Sequence, residues 1–248
     1  MSANTDYYCI DDNYSEEQIL IRNATRDWVK KHVKPHIEEH FQRAETPSYL
    51  VKELSNIGAF GLIIPENYGG VGADYISFGL MMQELERGDS SIRVISSIQT
   101  SLVMYAIYRF GSEDQRTKYL PKLATGEMLG AFGLTEPDFG SNPSSMHSYY
   151  KEDGDNIVIN GSKMWIGNAE TADIAIIWIK DESGEVKGVI VETKNITNFT
   201  TTTLKDKWSF RSSKTGELVF SDSVLPKEQL LAKSTSIQNA YECLNIGR

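Results

Sequence analysis

The residue types that could do chemistry first come together in residues 131–141, which read Ala-Phe-Gly-Leu-Thr-Glu-Pro-Asp-Phe-Gly-Ser. An apolar strand here runs into a hydroxyl, a carboxylate and a proline, and residues 165–168 (Trp-Ile-Gly-Asn) close a second apolar strand. The N–H groups of Leu134 and Thr135 could bind the edge of a planar ring on which negative charge develops, and Trp165 could form its apolar wall. The same pattern also fits a β-hairpin with a buried tryptophan and a turn at Thr-Glu-Pro.

A second candidate set lies on a predicted helix. Arg93 and Ser97 are four residues apart, so they share one helix face. This face suits a ligand carboxylate, because a guanidinium grips a carboxylate bidentately and a hydroxyl adds a donor. Glu86 would balance the arginine when no ligand is bound. Alternatively, Arg93 lies on a solvated helix face and pairs with Glu86 or Asp89, as exposed charges commonly do.

Composition narrows the possible partners. The 248 residues include 25 basic and 34 acidic side chains, for a net charge of −9. This balance argues against nucleic acid or an anionic membrane as the main partner. Cys9 and Cys243 are far apart, so neither a disulfide framework nor a zinc ribbon is predicted. The first residues lack the pattern of a signal or transit peptide, and no long apolar run follows, so we expect a cytoplasmic location without a membrane span.

Helical signals fill the first half and would position Arg93. Ser15 and Ser112 each precede a glutamine at the third following position, which predicts two capping boxes. We predict helices that begin near residues 15, 46, 74, 92 and 112, the fourth running without a break to about residue 109. Pro35 kinks or splits the first of them.

Past residue 130 the pattern changes to short strands. Asn160-Gly161 predicts a turn between a strand at 156–160 and the strand that holds Trp165. Further strands are predicted at 174–179, 186–191, 199–204 and 218–220, and a helical signal returns near residue 236. The fold class is therefore α+β, with a helical domain at 1–128, a β domain at 129–235 and the start of a third, helical part at 236–248.

Taken together, these motifs resemble the acyl-CoA dehydrogenase family over nearly the whole chain. Residues 111–121 are similar to the family's pattern before the β domain, and residues 140–146 and 207–213 resemble its glutaryl-CoA dehydrogenase branch. The resemblance implies a helical N-terminal domain, a β-barrel middle domain and a C-terminal helical bundle, most of which is missing here.

The resemblance also implies a reaction. It implies an FAD-dependent α,β-dehydrogenation of an acyl-CoA thioester, with glutaryl-CoA as the substrate and decarboxylation to crotonyl-CoA. It further implies an electron-transfer flavoprotein as the electron acceptor and a homotetramer when the protein is full length. The catalytic glutamate of the family lies in the C-terminal domain, so no residue of this chain is assigned as the base.

Site residues follow from the resemblance position by position. The cofactor-binding residues it implies are Phe132, Leu134, Thr135, Ser141, Trp165, Ile166 and Gly167. The substrate-binding residues it implies are Glu86, Arg93, Ser97, Ser141, Asn245 and Arg248. No metal site is expected, because Pro35 interrupts the helix of His32, His36 and His40 and a surface histidine row explains their spacing.

Gly167 departs from the family, which has Thr or Ser at this position beside the flavin. Its N–H remains available but a hydroxyl is lost, as in some short-chain acyl-CoA oxidases of the superfamily. A short-chain acyl-CoA dehydrogenase or oxidase, with Arg93 in a structural role, is therefore an alternative. A catalytically incomplete fragment that acts only as a binding module is another.

Overall fold

A computed structural model describes residues 7–247, in which α-helices precede the sheet and one more follows it. Within this range the α-helices are α1 (Glu16–Trp28), α2 (Ile37–Arg43), α3 (Ser48–Asn56), α4 (Tyr75–Gly88), α5 (Ser90–Ser97), α6 (Tyr105–Phe110), α7 (Glu113–Ala124) and α8 (Ile237–Gly247). The strands are β1 (Gly130–Gly133), β2 (Tyr149–Asp153), β3 (Asn156–Gly167), β4 (Ile174–Lys180), β5 (Val186–Glu192), β6 (Phe199–Thr203) and β7 (Thr215–Pro226). None of the helices in residues 7–247 is long and apolar enough to cross a membrane.

Both predicted capping boxes are confirmed. The Ser15 side chain accepts a hydrogen bond from the N–H of Gln18, whose side chain accepts one from the N–H of Ser15. Ser112 and Gln115 form the same reciprocal pair at the start of α7. The predicted break at Pro35 is also found, because a π-helical turn and the proline separate α1 from α2.

The predicted helix that carries Arg93 runs as one continuous helical segment but changes its winding. A π-helical stretch (Ile98–Met104) joins α5 to α6. The Ser101 hydroxyl donates to the carbonyl of Ser97 at 2.6 Å, a side-chain bond to the preceding turn that competes with the regular backbone ladder. Such wide turns occur often at functional sites.

The expected β-barrel takes the form of one curled, seven-stranded sheet in order β1-β4-β2-β3-β7-β6, with β5 on the other edge of β4. β4 supplies its central apolar strand. Ile174, Ile176 and Trp178 pack towards the helices, while the residues between them face a second cluster inside the sheet. This alternation follows from the two-residue period of a strand and fixes the sheet against the helical domain.

The predicted turn at Asn160-Gly161 is wrong. β3 continues through Gly161, which pairs with Phe220 of β7, and the hairpin that precedes it turns at Gly154 instead. Gly161 has a φ of +137°, and a side chain on it would overlap the Ser148 hydroxyl. A glycine is needed at this irregular point of the strand, which gives the sequence signature of a turn without forming one.

Candidate active site

Trp165 stands out from the sheet because of a bulge in β3. The register between β3 and β7 shifts between Lys163 and Ile166, both of which are buried. Trp165 itself has a φ of +64° and is 63% exposed, so the buried tryptophan of the hairpin alternative is wrong. A bulky residue in this region costs on the order of 1–3 kcal/mol, and such strain is concentrated at functional sites. The bulge turns the Trp165 indole away from the interior of the sheet, where it is available to line a cavity.

The end of β1 lies beside this tryptophan. The N–H of Met164 donates to the carbonyl of Thr135 at 2.8 Å and ties the two segments together. A cavity of about 770 Å³ opens between them, and its lining includes Phe132, Leu134, Thr135, Gly140, Ser141, Trp165, Ile166, Tyr241 and Asn245. The structure thus brings six of the seven predicted cofactor residues to one cavity, although Phe132 is largely buried against Trp178.

Gly167 lies just beyond, on the lining of a neighbouring cavity of about 590 Å³ that Trp165 also faces. A side chain at position 167 would overlap the Cδ1 atom of Ile98. Ile98 therefore fills the space in which the family's hydroxyl side chain is expected. The Ser213 hydroxyl on the same cavity is buried and has no hydrogen-bond partner among residues 7–247.

A buried ion pair, which the sequence analysis missed, supports the β1 turn. Lys163 is completely buried, and its Nζ lies 2.8 Å from Glu136 Oε1 and 3.3 Å from the carbonyl oxygen of Leu134. Glu136 also accepts hydrogen bonds from the N–H groups of His147 and Ser148. Lys163 follows the buried Ile159 by four residues and the buried Ile157 by six, so a two-residue repeat puts all three on the same face of a strand. That parity is the signal that could have marked it as an inward-facing lysine in need of a partner.

The environment shifts the pKa of both groups in this pair. Burial lowers the pKa of Lys163 to about 8, against the opposing attraction of Glu136. Burial acts to raise the pKa of Glu136, but the charge and hydrogen bond of Lys163, with the two N–H donors, hold it below its usual value. Because the pKa of Lys163 is still about 8 and that of Glu136 lies below its usual value, both groups are ionised at neutral pH.

The predicted carboxylate-binding residues also lie together. Glu86, Arg93 and Ser97 line a cavity of about 630 Å³ with the aromatic and apolar residues of α4. Arg93 Nε donates to Glu86 Oε2 at 2.8 Å, and the Ser90 hydroxyl donates to the other oxygen. Burial opposes ionisation of Glu86, yet these donors hold its pKa below the usual value. Asp89 instead caps α5 by accepting from the N–H of Ser91.

Asn245 connects the two predicted sets, because it lines both the cavity of Thr135 and that of Arg93. Its helix, α8, is attached to α6 through Glu242, which accepts from the Tyr105 hydroxyl at 2.8 Å and from Arg109 Nε at 3.0 Å. Arg248, the remaining predicted substrate residue, lies outside the described residues.

The residues of the first two cavities fit a bound flavin. Trp165 offers an exposed flat wall, Thr135 offers a backbone N–H, and Ser213 supplies a buried hydroxyl that has no partner among residues 7–247. The histidine row has a different setting: His32 stacks on Trp28, while His36 and His40 pack against Tyr49. Within residues 7–247, no group of three His, Cys, Asp or Glu side chains is placed to hold a metal ion.

Comparison with known families agrees with this arrangement. The N-terminal domain of acyl-CoA dehydrogenases matches residues 15–127, and the middle domain of the same family matches residues 131–223. The chain therefore belongs to the acyl-CoA dehydrogenase family.

Individual relatives include two different enzyme types. The chain is 35% identical over 235 residues to a glutaryl-CoA dehydrogenase of Desulfococcus multivorans, covering 90% of this chain and 59% of the relative. It is 36% identical over 228 residues to a short-chain-specific acyl-CoA dehydrogenase of Clostridium acetobutylicum, covering 90% and 60%. A glutaryl-CoA dehydrogenase of Mycobacterium smegmatis, solved with FADH2, superposes with a TM-score of 0.94 at 39% identity, covering 97% of this chain and 61% of that one. The chain thus spans about 60% of the length of these relatives.

Proposed function

We propose that this chain forms the N-terminal and middle domains, with boundaries near residues 128 and 235, of an FAD-dependent acyl-CoA dehydrogenase. We further propose that its substrate is glutaryl-CoA, converted to crotonyl-CoA with loss of CO2. One observation carries this choice: the Arg93 cavity and the Thr135 cavity share Asn245. A dicarboxylic acyl chain needs a cation at one end and a reaction centre at the other. Identity alone does not separate the two enzyme types, since the relatives match equally well.

The residues of the first cavities would hold the cofactor. Trp165, Ile166 and Phe132 form apolar walls, while Leu134, Thr135 and Gly167 present backbone groups and Ser141 lies at the open end. When bound, FAD supplies the acceptor for the hydride that leaves the substrate's β-carbon. Thr135 and its neighbours would bind the edge on which negative charge then collects, in a setting that needs no rearrangement.

Arg93 would hold the terminal carboxylate of the acyl chain. The Arg93 guanidinium is paired with Glu86 in the structure, so the substrate carboxylate would take the place of the Glu86 carboxylate. This exchange keeps the arginine paired in both states, which avoids leaving a partly buried charge without a partner. Ser97 would add a hydroxyl donor, and Asn245 and Arg248 would contact the CoA chain. A carboxylate base beyond the described residues would take the α-proton, an electron-transfer flavoprotein would accept the electrons, and the complete protein would work as a cytoplasmic homotetramer.

Two alternatives each rest on an observation. A short-chain dehydrogenase or oxidase is favoured by Gly167, and by an Arg93 that is already paired with Glu86. A non-catalytic binding module would use the same cavities without a base.

Ligand binding by the purified chain and turnover by the complete reading frame test the proposal. We expect a bound-flavin absorbance spectrum, and CO2 release with a preference for glutaryl-CoA over butyryl-CoA. Arg93→Ala should lower glutaryl-CoA turnover by roughly tenfold or more, as expected for loss of a charged hydrogen bond, with little effect on butyryl-CoA. Arg87→Ala, in an exposed arginine of the preceding helix, is the matched control. A butyryl-CoA preference without CO2 would establish the short-chain alternative, and bound flavin without turnover would favour the binding module.

A further inference from the structure

The Lys163–Glu136 pair has a feature that loop support alone does not explain. A completely buried lysine is costly, and a neutral side chain could fill the same space. Besides Glu136, the ammonium of Lys163 contacts the carbonyl oxygen of Leu134 at 3.3 Å and the sulfur of Met146 at 3.7 Å. Its charge is therefore placed against one particular peptide group of the β1 turn.

That peptide group has its other end on the cavity side. No cis peptide bond occurs in residues 7–247, so the C=O of Leu134 and the N–H of Thr135 point in opposite directions. The carbonyl faces the buried lysine, so the N–H faces away from it, and Thr135 lines the 770 Å³ cavity. The carbonyl of Thr135 accepts a hydrogen bond from the N–H of Met164. The N–H of Thr135 itself makes no hydrogen bond to any of residues 7–247.

A cation at a carbonyl oxygen pulls electron density through the amide and leaves the N–H more positive. In a buried, low-dielectric setting this polarisation is stronger than in water, and hydrogen bonds in a chain reinforce one another. Glu136 reduces the effect only in part, because its carboxylate also binds the N–H groups of His147 and Ser148.

We infer that Lys163 is a positioning residue that acts through the Leu134–Thr135 peptide, making the Thr135 N–H a stronger donor to negative charge in the cavity. The identity of that charge, the edge of a reduced flavin, rests on the proposed function. The strengthening of the Thr135 N–H as a donor does not rest on the proposed function.

The test compares variants of the full 248-residue chain. Lys163→Met removes the charge, and the double variant Glu136→Gln/Lys163→Met removes both charges, so that neither is left buried alone. Lys180→Met is the control, because Lys180 also acts on Lys163 electrostatically, whereas the hydrogen bond to the Leu134 carbonyl comes from Lys163. The first readout is the amide proton resonance of Thr135 by NMR without flavin, and the second is the affinity for FAD before and after dithionite reduction.

We expect the Thr135 amide proton to move upfield in both Lys163 variants and to stay in place in Lys180→Met. The preference for reduced over oxidised FAD should fall by roughly tenfold or more, the worth of a charge-strengthened hydrogen bond. If Lys163→Met fails to fold, the Thr135 amide resonance of the double variant tests the inference, because the double variant leaves no unpaired buried charge. A Thr135 resonance that moves no further than in the control would overturn the inference. If the wild-type chain binds no FAD, the proposed function fails, while the amide resonance still decides this inference.

Discussion

Replacing Gly167 with alanine should destabilise the protein through one identifiable contact. A Cβ atom at this position would overlap Ile98 Cδ1, while the next atoms of Ile98 and Val94 lie at 3.8 and 3.9 Å, which is ordinary contact. Gly167 is not among the glycines with positive φ, so alanine adds no backbone strain there. The clash therefore involves a single methyl group of a side chain that is 9% exposed.

The size of the effect follows from that geometry. Overpacking by one methyl group costs about 1–3 kcal/mol in a closed core, and we expect about 1 kcal/mol here because Ile98 Cδ1 ends a side chain that lines the 590 Å³ cavity and can shift into it. Ile98→Val alone should also cost about 1 kcal/mol for the lost methyl. In the double variant the alanine methyl takes the place of the removed one, so we expect a total cost of about 1 kcal/mol. The cost of the double variant should then be smaller than the sum of the two single costs by about 1 kcal/mol.

Urea denaturation of the wild type, Gly167→Ala, Ile98→Val and the double variant measures this coupling as a double-mutant cycle. Gly140→Ala is the matched control, because nothing lies within 4 Å of its added Cβ, and we expect a change within about 0.5 kcal/mol. A stable Gly167→Ala protein, or additive costs in the cycle, would refute the assignment of Ile98 as the group that replaces the family's hydroxyl side chain.

Three other perturbations give independent checks. Gly161→Ala should be more damaging than Gly167→Ala, because its φ of +137° and the overlap with a serine hydroxyl act together, and thermal unfolding will measure it. Glu192 is partly buried, which acts to raise its pKa, but hydrogen bonds led by that of Lys118 lower it to about 2. Its folded pKa lies below the unfolded value, so its contribution to stability is complete above about pH 4.5 and is lost as the pH falls towards 2; Glu192→Gln should flatten the stability-versus-pH curve there. Ser15→Ala should cost about 1 kcal/mol by removing a cap of α1, whereas unchanged stability would mean that this helix end is held by packing alone.

Local signals in the sequence were sufficient for much of the helical half. Capping boxes and the position of Pro35 act over a few residues, so they can be recognised without tertiary information. The pairing of Arg93 with Glu86 was within reach for the same reason, since both residues lie on consecutive helices.

Long-range contacts account for what the sequence did not reveal. Gly161 reads as a turn because only the fold shows that Ser148 lies against it. Strand parity indicates that Lys163 faces inward, but its partner could not be named, because Glu136 is distant along the chain and the two N–H groups that also bind Glu136 belong to another loop. The outward direction of Trp165 depends on a bulge whose position is set by pairing with β7. These are the features that form the site.

The segment at the junction of α5 and its π-helical continuation lines two different cavities. Arg93 and Ser97 line the 630 Å³ cavity beside Glu86, whereas Val94 and Ile98, one residue further along in each case, line the cavity of Gly167. A small rotation of this one segment would therefore change the room at both places at once. Under the proposed function, laboratory selection for a different acyl-CoA substrate is best done by randomising all four positions in a single library, because a change at one cavity would also disturb the other.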